Sequence, residues 1–192
     1  MRSWSCRKLA VAAVLALVAA LAAGVFVSGC GESLGEKAAE KAIEKAAEKS
    51  GQDIDVDIKD GSISVSGEGT DASYQYGGKV EVPKQIPASL ISGDAEVFFA
   101  GKQDGEDGYE TYAVQFYSKT DANEMAEFFA RQVEKLGYEI TGQYTAQQGE
   151  DSMVSVAGEK GETQIACTGG SKADGKYVYI VQIILGSPEG GN

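Results

Sequence analysis

The chain has 192 residues, 43% hydrophobic and 24% charged, with 25 glycines and three prolines. That is too apolar for wholesale disorder and too varied for a fibre. It contains no histidine, which excludes Ser-His-Asp and Cys-His catalysis and every zinc site that uses histidine, and its net charge of −12 argues against nucleic-acid binding.

Residues 1–8 carry Arg2, Arg7 and Lys8 and no acid. Residues 9–27 are apolar apart from the neutral Gly24, and Val27-Ser28-Gly29-Cys30 follows. A positive head, an apolar run and small residues before a break form a secretory signal. The end of that run resembles the lipobox of bacterial lipoprotein precursors: an aliphatic residue, a small residue, Gly or Ala, then Cys. The resemblance implies cleavage between Gly29 and Cys30 and a diacylglycerol thioether on Cys30, so that membrane lipid is the first partner. The chain would then be lipid-anchored at a cell membrane and face outside the cytoplasm. An uncleaved anchor is the alternative, because residues 9–27 are nearly long enough to cross a hydrocarbon core of roughly 30 Å. Loss of residues 1–29 removes three bases and no acid, which takes the charge from −12 to −15. Anionic headgroups repel such a chain, so the lipid must hold it. Cys167 then has no partner for an internal disulfide and reads as a buried core residue.

Residues 33–50, SLGEKAAEKAIEKAAEKS, read as a helix. Ser33 and Glu36 have capping-box spacing, Gly51 is a stop, and Lys37–Glu40, Lys41–Glu44 and Lys45–Glu48 are i,i+3 pairs. The apolar stripe is mostly alanine, which suits a semi-rigid stalk of roughly 22 Å or a helix that pairs with a partner. Residues 53–58 and 62–66 alternate strictly about Asp60-Gly61, which predicts a hairpin with Ile58 facing Ile63 and Val56 facing Val65. Asp53, Asp55 and Asp57 lie on its other face as a solvated acidic row; the spacing is wrong for a calcium loop. Residues 67–82 read as a flexible glycine-rich linker or a second ribbon, and Pro83 and Pro87 mark extended chain. This layout resembles a set of bacterial lipoproteins with Gly-Cys-Gly after the signal, an EKAAEKAIEKA-like helix and an Asp-Val-Asp hairpin. The resemblance brings no activity with it.

Two strands, 95–101 and 109–118, flank an acidic turn at 103–108. Residues 120–136 form a helix capped by Thr120, with Met125, Phe128, Phe129, Val133 and Leu136 as its apolar stripe and Gly137 as its stop. Strands at 138–145, 152–157, 163–168 and 176–185 follow, the last apolar on nearly both faces and therefore central. The expected fold is α+β: one helix on a mostly antiparallel sheet in the order ββαββββ. The expected segments are a signal peptide (1–29), a lipidated Cys and stalk helix (30–52), an acidic hairpin with a Gly/Pro linker (53–93), a globular domain (94–186) and a tail (187–192).

Strand tyrosines Tyr109, Tyr117, Tyr144, Tyr177 and Tyr179 either line a ligand surface or pack at the sheet's margin. In a simple meander the 103–108 and 158–162 turns fall at one end of the sheet. That would gather Asp104, Glu106, Asp107, Glu159 and Glu162 for a cation or a basic partner. No nucleophile elbow, P-loop, dinucleotide fingerprint or cysteine pair is present. The reading is a non-enzymatic binding or structural module without cofactor or metal, with a protein or small molecule as its partner. A small carboxylate hydrolase and an accessory subunit of an envelope complex are the alternatives.

Overall fold

The structure is a computed structural model that describes residues 40, 41, 43–45, 48, 54–59, 62–67, 70–77, 80–105, 108–148, 151–173 and 175–186. The signal, Gly29, Cys30, the Ser33–Glu36 cap, the Asp60-Gly61 turn, Glu106, Asp107 and the tail lie outside the described residues. Among the described residues, nine strands and one long helix make an α+β fold dominated by antiparallel sheet. The chain divides into two compact units, residues 1–71 and 72–192.

In the first unit, β1 (Ile54–Lys59) and β2 (Ser62–Gly67) pair antiparallel with Val56 opposite Val65 and Ile58 opposite Ile63. This is the register that the alternation and the two-residue turn require, and all four side chains are buried. Residues 40, 41, 43–45 and 48 are helical (α1), with Ile43 buried. A free stalk is not what these residues form. Glu40 accepts a hydrogen bond from the Ile58 N–H at 2.9 Å, and Glu44 accepts one from the Val56 N–H at 3.3 Å. The spacing explains the fit. Alternate amides on a strand are roughly 6.6–6.8 Å apart, and residues four apart on a helix rise about 6 Å. Two successive glutamates therefore reach two successive amides that β1 does not give to β2.

The second unit begins at Ala72, within β3 (Thr70–Tyr76). It continues through a short 3₁₀ turn (Ala88–Leu90), β4 (Glu96–Asp104), β5 (Glu110–Ser118), α2 (Ala122–Lys135), β6 (Glu139–Gln148), β7 (Asp151–Lys160), β8 (Thr163–Ala173) and β9 (Lys176–Leu185). The strand order is β3-β4-β5-β9-β8-β7-β6. The expected ββαββββ order is one strand short, because Thr70–Tyr76 joins the sheet, and the sheet is not a meander, because β9 enters between β5 and β8. The central place of β9 follows from its sequence: Tyr179, Val181 and Ile183 are buried in the core, while Val178, Ile180 and Ile184 are half-buried on the opposite face.

The Gly/Pro linker expected up to residue 93 is largely part of the globular unit. Ile86 and Leu90 are buried in its core, and Val80, Val82 and Ile91 pack against it. The 80–95 segment is fastened by Asp94. Its carboxylate accepts hydrogen bonds from Ser92 and Ser118 hydroxyls and from the Lys119 N–H, at 2.8–2.9 Å. Ser118 is the buried polar side chain of this core, and its oxygen in turn accepts from the Thr120 N–H at 3.0 Å.

The helix starts one residue later than expected. Asp121, not Thr120, is the cap, accepting from the Asn123 and Glu124 N–H groups. Met125, Phe129 and Val133 are fully buried, whereas Phe128 and Leu136 are partly buried. Gly137 ends the helix at φ 80°, and the Gly137 and Tyr138 N–H groups bond back to Glu134 and Val133 carbonyls, the Schellman pattern. Lys160 of β7 donates to the Leu136 carbonyl at 2.9 Å. Beneath this end lies Gly158, where an added Cβ would come within 2.8 Å of a Val133 methyl. A glycine there lets α2 sit directly on the sheet.

Candidate functional site

The registers bring the β4–β5 and β7–β8 turns to the same end of the sheet. Asp104 pairs with Glu110, Glu110 with Leu185, Ile184 with Gln164, and Thr163 with Lys160. Of the acids expected there, the described Asp104, Glu159 and Glu162 are not gathered, and Glu106 and Asp107 lie outside the described residues. Glu159 and Glu162 belong to β7 and the β7–β8 turn, and Asp104 stands three strand spacings from β8, roughly 14 Å. Cation ligation needs oxygens within about 2.3–2.6 Å of one point. Among the described residues no group of three or more Cys, Asp or Glu side chains is placed to hold a metal ion.

What the β4–β5 end holds instead is an ionic clamp that sequence reasoning missed. The Lys102 ammonium lies 2.8 Å from Asp104 and 2.7 Å from Glu110. The Tyr112 hydroxyl donates to the other side of Glu110 at 2.9 Å, and Lys102 stands 5.9 Å from the Tyr112 ring centroid. The hydrogen bonds to Asp104 and then Glu110 hold the Lys102 ammonium well above its ordinary range. The bonds from Lys102 and then Tyr112 hold the Glu110 carboxyl below the usual carboxylate range. Burial first, and then the bond to the Glu110 carboxylate, raises the Tyr112 phenol. Alternation along β4 and β5, with Lys102, Asp104 and Glu110 two residues or one turn apart, is the signal that could have found it.

Asp94 and Cys167 are likewise engaged in holding the unit. Burial works against charge on Asp94, yet the bonds from Lys119, Ser92 and Ser118 together set its carboxyl below the ordinary range. Cys167 is buried at the centre of the sheet as expected, and burial pushes its thiol up to about 12. A thiol there stays protonated and unreactive at neutral pH.

The five strand tyrosines do not form one surface. Tyr179 is fully buried and donates to the Thr120 carbonyl at 2.7 Å, with burial the main cause of its raised phenol. Tyr117 lies on the opposite face, stacked on Phe98 at 4.3 Å between centroids. Tyr177 packs beside Tyr179, and Lys172 stands 5.9 Å from its ring. Only Tyr109 and Tyr144 are open to solvent. Among the described residues no helix is long and apolar enough to cross a membrane.

No family model matches the chain, and no curated protein matches it.

Proposed function

We propose that the chain is a lipid-anchored module facing outside the cytoplasm, whose role is binding or structural rather than enzymatic. The observation that supports this most is the use made of its reactive side chains. Lys102, Asp104, Glu110 and Asp94 are bonded to one another or to strand ends, and Cys167 is sealed in the core. These groups contribute to fold stability. Anchoring rests on Val27-Ser28-Gly29-Cys30 at the end of the apolar run. The acidic balance, −15 once residues 1–29 are removed, keeps the remaining chain in solvent and off anionic headgroups.

Metabolic labelling with a fatty acid, followed by intact-mass measurement, tests the anchor. The expected result is a labelled product that starts at Cys30 and a label lost in Cys30→Ser. An unlabelled chain of full precursor mass overturns the lipid anchor. The non-enzymatic reading has its own test. Asp104→Asn with Glu110→Gln should leave partner binding in native membranes unchanged, and a hydrolytic activity abolished by this pair would replace the binding reading with a carboxylate hydrolase.

A further inference from the structure

Strand β6 ends the sheet with a neighbour on one side only, and most of it is exposed. Folded chains usually guard such an edge with charge, proline, a bulge or short length. β6 has ten residues, and it bulges between Ile140 and Gly142, where its pairing with β7 shifts. From Gly142 to Gln148 the pairing is regular, one residue to one, against Asp151–Ala157. The sequence Gly142-Gln-Tyr-Thr-Ala-Gln-Gln148 carries no charge and no proline, in a chain of net charge −12. Its only flanking charge within β6 is Glu139, beyond the bulge.

A second observation falls on the same edge. Three large apolar side chains are exposed among the described residues, and two of them, Tyr144 and Met153, each 58% exposed, belong to β6 and β7. Ala146 pairs with Met153, and Tyr144 lies two residues from Ala146, so all three share one face.

We infer that β6 pairs antiparallel with β6 of a second copy of this chain about a two-fold axis at Thr145. That register uses the whole regular segment, setting Gly142 against the partner copy's residue 148, Gln143 against 147 and Thr145 against itself. Tyr144 of one copy then lies across from the small Ala146 of the other, whose own cross-strand neighbour is Met153. The exposed tyrosine of each copy covers the exposed methionine of the other, a contact that suits a thioether and a ring. The two Glu139 residues stand at opposite ends, so they do not face each other. The interface is isologous and closes as a dimer. It needs no lipid at Cys30, so anchoring and pairing succeed or fail separately.

Charge placed on the axis tests it. Full-length chain, purified in density-matched detergent, should sediment as a dimer. Thr145→Lys and Thr145→Glu should each shift it at least tenfold toward monomer, and mixing the two should restore dimer. Both substitutions fall on an exposed position, and unchanged melting curves would show that the unit still folds. In membranes, oxidation of a Thr145→Cys chain should give several-fold more disulfide dimer than the same substitution at the exposed Asn123 on α2. Three results each overturn the inference: a monomeric unsubstituted chain, charge variants that dimerise as well as it does, or Thr145→Cys crosslinks that run at the mass of some other protein.

Discussion

β1 and β6 each have a strand on one side only, and the chain treats their free backbone groups in opposite ways. Along β1, two outward amides are taken by Glu40 and Glu44 of α1. Along β6, residues 142–148 have no charge, no proline and no bulge. β1 is the outer strand of a short hairpin, an element that is marginal in water unless something packs on it. Its glutamates are therefore part of what holds it. Residues 142–148 of β6 are held by their pairing with β7, so the outer edge can stay bare without loosening the strand. An edge held by its own chain is closed to partners, and an edge held only by the sheet behind it remains available.

The largest expected effect tests the sheet that stands behind β6. Phe129→Ala empties the centre of the α2 contact and should cost about 3–5 kcal/mol, read as a fall in the melting temperature of the second unit. Phe128→Ala should cost clearly less, because that ring is only partly buried. Next comes the cover on β1. Glu40→Ala with Glu44→Ala should cost the hairpin about 1–2 kcal/mol for each lost bond, seen as faster hydrogen exchange at Val56 and Ile58. Glutamine at both positions keeps an acceptor and should restore most of the protection. Unchanged exchange would mean that β1 does not depend on α1, and the contrast with β6 would disappear.

Smaller still is the Asp94 fastening. Asp94→Asn should cost about 1 kcal/mol, discounted for the solvent exposure of the carboxylate. The folded-state proton affinity of Asp94 is lowered. Its contribution is therefore present at neutral pH, above the unfolded value, and is lost as pH falls through the acid end of the carboxylate range. Melting temperatures of the native chain and the asparagine variant should converge there. The smallest effect concerns the open clamp at the β4–β5 end. Lys102→Met should change stability by less than about 1 kcal/mol, and by less again in high salt, because the ion pairs are partly exposed.

How much of this was legible beforehand varies with the kind of signal. The β1–β2 register was readable because alternation and an Asp-Gly turn point to one pairing. The helix stripe and the Gly137 stop were readable because 3.6-residue periodicity and a left-handed terminus are local properties. β3 was half legible: residues 67–82 read as a linker or a second ribbon, because its inward positions, Ala72 and Tyr74, sit among glycines and polar residues. The insertion of β9 between β5 and β8 escaped because strand order is a long-range choice, although β9's two apolar faces did mark it as central. In α1, the glutamates looked like lysine partners three residues away. Their bonds to β1 depend on a match between helix rise and strand spacing that neither segment shows by itself. The ionic clamp escaped for a similar reason, since Lys102 and Glu110 meet only once β4 and β5 are in register.

Cys167 turns the core into its own clock. Cys167 is buried in the middle of the sheet with its thiol held protonated, so a thiol reagent can label it only when the second unit opens. The labelling rate of Cys167 itself, followed on its own peptide at excess reagent, then counts openings directly, with no residue changed.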